Sequence, residues 1–130
     1  MADFWLPAKP GVKVAIAILD AKFGFTVSDE MPKTRPPQII LVSHMGGSRP
    51  NPAQSIHRLL IECWANKFQF NLEEMCAEAS AALRNSRGKS FADAFSFGWA
   101  NEQGPVDFPD PDVTDMSRWQ FHGDLTLSTK

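Results

Sequence analysis

The sequence predicts an α+β domain: a mostly antiparallel β-sheet with two main helices packed on one face. Three observations carry that expectation. Val12 to Phe23 and Leu72 to Leu83 repeat apolar residues at helical spacing. QIILVSHM, from Gln38, and IHRLLIECWA, from Ile56, are short apolar runs with the β-branched content of strands. Arg118 to Leu127 alternates polar and apolar residues, the period of a half-buried strand. A length of 130 residues with 43% hydrophobic content suits one domain over residues 1–130, built on a single core.

In chain order, residues 1–10, MADFWLPAKP, read as a flexible N-terminal arm. Val12, Ala15, Ile16, Leu19 and Phe23 then form one stripe of a helix over residues 11–23, which Gly24 can terminate. Pro32, Pro36 and Pro37 break any helix before the strand QIILVSHM. GGSRPNPAQS, from Gly46, has the composition of a turn-rich loop, so Gly46 to Gln54 reads as a long connection to the partner strand from Ile56. Asn71 can cap a helix over 71–86, Glu74 can complete a capping box, and Leu72, Met75, Cys76, Ala79, Ala82 and Leu83 supply its apolar face. Arg84 and Arg87 suit the negative pole of that helix, and Gly88 marks a stop. Phe95 to Ala100 reads as strand. In the last strand Trp119, Phe121, Leu125 and Leu127 share one face, with Arg118, Gln120, His122, Asp124 and Thr126 on the other.

With 13 basic and 15 acidic residues and a net charge of -2, no bulk charge draws the chain to nucleic acid or an anionic membrane. The longest apolar run, Val14 to Leu19, is too short to span a bilayer, and the N-terminus lacks a secretory leader pattern. Cys63 and Cys76 fall inside regular elements, where thiols pack as small core residues; that fits a reducing compartment.

Candidate chemistry fails on spacing. Asp110, Asp112 and Asp115 resemble the start of a calcium loop, but counting from Asp110 the positions of the required glycine and glutamate hold Asp115 and Phe121. His44, His57 and His122 show no ligand spacing, and no GxSxG nucleophile is present. Proximity of Cys63 or Ser43 to a histidine stays open. Gly46-Gly47 leads toward a strand and lacks the lysine of a phosphate loop. The expectation is no catalysis, no metal and no cofactor. Phe4 and Trp5, beside a chain end, either pack back on the core or form a contact for another subunit.

In order and spacing the sequence resembles the tail terminator proteins of long-tailed bacteriophages, notably small minor tail proteins of actinobacterial phages. Three stretches carry the resemblance: ILVSHMGGSRPNP, a strand ending in Gly-Gly and an Asn-Pro loop; LLIECWA, a strand ending Glu-x-Trp-Ala; and PDPDVTDMSRWQFHGDLTL, a closing Pro-Asp-Pro turn and alternating strand. With the alanine-rich helix between them they span residues 12 to 128. The sequence departs from that pattern at Ile56-His57-Arg58, which leaves the hairpin register open, and at Gly123, which signals a bulge or a close backbone contact.

The resemblance implies a structural virion protein, assembled in the host cytoplasm, whose copies form a hexameric ring on the head-proximal end of the tail tube. Its partners would be further copies of itself, the major tail tube protein and a head-completion or connector protein. DNA would pass through the lumen without specific binding, and no membrane is involved. Contact residues expected on this reading are Gly46, Gly47, Arg49, Asn51, Phe4, Trp5, Asp110, Asp112 and Arg118. Asp115, with its acidic neighbours, is either solvated or paired across subunits. Two other classes stay open at this point: another phage neck component, such as a head-completion or tail-completion protein, and a small α+β enzyme or ligand-binding domain.

Overall fold

A computed structural model describes residues 4–130; Met1, Ala2 and Asp3 of the expected N-terminal arm lie outside the described residues. Among the described residues the order is α1 (Gly11–Lys22), β1 (Thr26–Ser28), β2 (Gln38–Asn51), β3 (Gln54–Asn66), α2 (Leu72–Asn85), β4 (Ser90–Phe91), β5 (Ala94–Asp107) and β6 (Met116–Ser128). The strands form one sheet in the order β1-β2-β3-β6-β5-β4, antiparallel except for the short β1–β2 pair. The expected α+β class is the observed one.

Both helices cover the same face. Val14, Ala15, Ile18 and Leu19 of α1 and Leu72, Met75, Cys76, Ala79 and Leu83 of α2 close over Ile40, Val42, Leu59, Ile61, Cys63, Phe121, Leu125 and Leu127. Strand alternation explains the set: registered partners such as Val42 and Ile61, or Ile61 and Phe121, point the same way. α2 starts as the sequence predicts, with Asn71 Oδ1 accepting the Glu74 N–H at 3.0 Å. α1 stops at Lys22, because Phe23 is already extended one residue before Gly24. On the other face Ile39, Trp64 and Met116 make a small cluster with Met31, Leu41 and Val113. The segments before β2 and β6 fold over that end, and the remainder of this face carries no helix.

The stretch from Gly46 to Gln54 is not a loop. β2 runs on through Gly46 to Asn51 and stays paired with β3, turning only at Pro52 and Ala53. The glycines serve the strand itself: a Cβ on Gly47 would overlap the Ile56 carbonyl oxygen. Irregular pairing at His44/Gly46 and Ser48/Asn51 marks the bulges that bend this arm. Pro50 is tolerated because β1 pairs only with Ile39–Leu41, so the outer edge of β2 has no ladder to lose there. Asn51 Oδ1 accepts the Ala53 N–H at 2.9 Å and shapes the turn. Thr129 ties that turn to the end of β6, donating from N to the Ala53 oxygen at 3.1 Å and from Oγ1 to the Pro52 oxygen at 2.6 Å. The arm therefore lies within the sheet and does not reach beyond it.

The two departures resolve in the same way. Ile56-His57-Arg58 is continuous strand, registered on Thr126, Leu125 and Asp124. Gly123 keeps the β3–β6 register and is a close-contact site, since a Cβ there would come within 2.5 Å of Trp99 Cζ2. The strand expected over Phe95 to Ala100 is longer, extending through Asp107, and is entered by a tight hairpin in which Ala92 and Asp93 both take positive φ, 46° and 62°.

Candidate functional site

Two long strand edges are open, at diagonally opposite corners of the sheet. β1 covers β2 only at Ile39–Leu41, and β4 covers β5 only at Ala94 and Phe95, with Ser96 also bonded to Gly88 and Lys89. Beyond those points the outer backbone of β2, from Val42 to Asn51, and of β5, from Phe97 to Asp107, has no strand partner among the described residues. β2 and β5 run in opposite directions, because an even number of antiparallel steps leads from β2 through β3 to β6 and one more step leads to β5. A β5 edge laid beside the β2 edge of another copy is thus antiparallel, like the sheet itself.

The helix-free face carries charge, and the charge is paired. Arg58 and Asp124 face each other in register and meet at two points, Nε to Oδ1 at 3.1 Å and Nη2 to Oδ2 at 3.3 Å, while Asn101 donates to Asp124 Oδ2 at 2.9 Å. The Arg58 hydrogen bond holds the Asp124 carboxyl below the usual carboxylate range. Arg118 pairs with Glu62 at 3.3 Å, donates from Nε to the Phe108 oxygen at 2.7 Å, and lies between the Trp64 and Phe108 rings. Burial nevertheless pushes the Glu62 carboxyl above its ordinary value, with Arg118 opposing that shift.

On the helix face, beside the β2–β3 arm, a chain of polar groups links His44, His57 and Ser55. The Gly46 N–H donates to His44 Nδ1 at 3.1 Å, so the His44 proton sits on Nε2 and is donated to His57 Nδ1 at 3.2 Å. The His57 proton is then on Nε2, 2.8 Å from Ser55 Oγ, and the hydroxyl accepts it. An imidazole that donates to a serine is not poised to take its proton, so this arrangement is not an activated nucleophile. Cys63 is no better placed: its hydrogen bond with Cys76 and its burial push the thiol well up. His122 is on the opposite face from His57, and among the described residues no set of three or more His, Cys, Asp or Glu side chains could hold a metal.

The His chain makes stability pH-dependent. Burial first, then His44 and Arg49, lowers the His57 pKa, and a proton added at His57 Nδ1 would set two donors face to face with His44 Nε2. The folded pKa lies below the unfolded value of about 6.5, so this contribution is complete above that pH and declines as pH falls through and below it. Melting temperature is expected to drop between pH 7.5 and pH 5.5, and to drop less in His57→Gln; equal drops in both proteins would place the pH dependence elsewhere.

Of the residues singled out in the sequence, Gly46, Gly47, Arg49 and Asn51 all lie on the open-edged part of β2. Phe4 and Trp5 are 82% and 53% exposed, with the Trp5 ring 5.1 Å from the Arg49 guanidinium. Asp110 and Asp112 form a turn, Asp110 Oδ1 accepting the Asp112 N–H at 2.9 Å, and Asp115 pairs with Arg35 at 3.3 Å. Arg118 is engaged within its own chain, by Glu62 and the Phe108 oxygen. The sequence reading missed Ser55 and the open edge of β5; the first had no motif, and the second was masked by the loop-like composition of NEQGPVD.

A solved structure titled as the virion of a native gene transfer agent particle contains a chain with this fold: TM-score 0.54, 16% sequence identity, covering 88% of this chain and 84% of that one. At that identity the likeness is one of fold. No protein-family model and no curated protein sequence matches the chain. Among the described residues no helix is long and apolar enough to cross a membrane.

Proposed function

We propose that the chain is a structural virion protein of a phage-type particle and that its copies close into a ring capping the head-proximal end of a tail tube. The observation that carries this reading is the pair of open antiparallel edges on β2 and β5. They are different surfaces, so each copy offers one to each neighbour, and such a heterologous contact closes into a ring when its rotation divides the circle. The fold likeness to a chain from a phage-like virion particle supports the setting.

Four long strands per copy and six copies would give a wall of about 24 strands, roughly 115 Å around and 37 Å across at ~4.8 Å per strand, before strand tilt widens it. That leaves room for a duplex once inward side chains are allowed for. With the helices outside, the lumen is lined by the helix-free face, whose paired Arg58–Asp124 and Arg118–Glu62 offer little net charge to phosphate. DNA passes through without specific binding. The chemistry is recognition without turnover, and the partners are the tube protein below and a head-completion or connector protein above. Incubating the purified protein with tail tubes tests the reading: electron microscopy should find it at one tube end only. Decoration along the tube, or none, would contradict it.

A further inference from the structure

The open part of β2 holds a cation without a counterion. Arg49 Nε and Nη2 are shielded from solvent and have no hydrogen-bond partner, and Arg49 makes no ion pair among the described residues. Its surroundings add to the imbalance. The Trp5 ring lies against the guanidinium, Arg49 itself bears on the buried His57, and α1 begins close by at Gly11, which abuts the His57 ring, with no acidic residue in its first turn and no side-chain cap. Arg49, Ala8, Gly47 and His57 line a cleft of about 280 Å³. A shielded guanidinium edge without an acceptor is unfavourable, and a carboxylate that reached it would gain more than at an open surface. The ring that covers it is lightly held: Trp5 is 53% exposed, in a segment without regular structure.

The other open edge has the complement. β5 ends at Asp107 and leads into the turn of Asp110 and Asp112; Asp107 and Asp112 are exposed and make no ion pair among the described residues, whereas Asp115 is taken by Arg35 and Asp110 by the turn itself. Backbone pairing alone would hold these edges poorly together, since Pro50 lies on one and Pro105 on the other and neither has an N–H to give. Side chains must then set the register.

We infer that Arg49 is the carboxylate receptor of the contact between copies: Asp107 or Asp112 of one copy displaces Trp5 and pairs with Arg49 of the next. The inference rests on the ring reading above and names its seam, with Gln103 to Asp107 of one copy lying antiparallel to Gly47 to Asn51 of its neighbour. Because every contact uses one Arg49 and one acidic turn, charge reversal can be rescued by alternation. Arg49→Glu alone sets a carboxylate against aspartates at every contact, and Asp107→Lys with Asp112→Lys alone sets lysines against arginine. An equimolar mixture that alternates around an even-numbered ring sets opposite charges together at every contact: the lysine-bearing turn faces the Arg49→Glu arm at half of them, and the native acidic turn faces Arg49 at the others.

The experiment is native mass spectrometry and electron microscopy of each protein alone and mixed, in solution and on tube ends, with circular dichroism to confirm folding. Each reversed protein should assemble at least tenfold more weakly than wild type, and the mixture should recover rings. Arg49→Ala gives a second route: it should weaken assembly as the lysine variant does, with no added loss when the two are combined. Wild-type assembly by the single variants, or folded variants whose mixture recovers nothing, overturns this inference and leaves the ring reading standing. Failure of the wild-type protein to form rings in solution or on tubes overturns both.

Discussion

Phe121→Ala is expected to lower the free energy of unfolding by about 3–5 kcal/mol, measured by chemical denaturation. Phe121 is 2% exposed at the middle of β6, the strand between β3 and β5, and it is registered on the fully buried Ile61. Its ring meets Trp99 edge to face, with centroids 6.2 Å apart, and Gly104 approaches so closely that a Cβ there would lie 3.1 Å from Phe121 Cβ. Neighbours held on both sides by strand pairing cannot collapse into the space, so the cavity term is kept as well as the lost transfer energy. A domain of ordinary stability, about 5–15 kcal/mol, would lose a large share of it. Phe68→Ala is the control. Phe68 is fully exposed and its loss should change stability by less than about 0.5 kcal/mol.

Gly47→Val is expected to act on the β2–β3 arm. The added Cβ would overlap the Ile56 carbonyl oxygen, and backbone on a paired strand cannot step aside without breaking the ladder. The cost should be about 1–3 kcal/mol. It should be local: hydrogen exchange would speed up for Ser48 to Ile56, while Ile40, Ile61 and Phe121 in the core keep their protection. If copies close into the proposed ring through this edge, the same protein should also fail to assemble, because the arm carries the open edge and Arg49. Uniformly faster exchange, or an arm as protected as in wild type, would contradict this role of Gly47.

What the sequence made legible follows from where local signals and tertiary context agree. α2 could be read almost to the residue because Asn71 supplies a cap, Leu72 to Leu83 supplies the period, and packing on the sheet rewards both. β6 could be read because one of its faces is buried for most of its length. The β2–β3 arm could not. Glycine and proline argue for a loop by composition, yet here Gly47 makes room for a partner carbonyl and Pro50 sits on an edge that needs no donor. The β4–β5 turn was invisible because Ala92 and Asp93 occupy the left-handed region without the usual glycine or asparagine. β1, three residues long, is held by pairing with Ile39–Leu41 that no local pattern announces.

The histidines show the same limit. His44 and His57 could be placed on facing strands, but their hydrogen bond depends on the bulge at His44/Gly46, which offsets the register, and on the Gly46 N–H that fixes the tautomer. Arg49 was visible as a contact candidate from its place at the centre of the Gly- and Pro-rich stretch. Its lack of a partner was not, since only the folded chain brings α1, Trp5 and the arm together around it.

If this chain ends tube growth by ring closure, the most direct measurement is electron microscopy of tails assembled in cells lacking it. Tubes of variable, excessive length with no heads attached are expected, with uniform length restored by the wild-type protein supplied in trans. Tails of normal length with heads attached would contradict the proposed role.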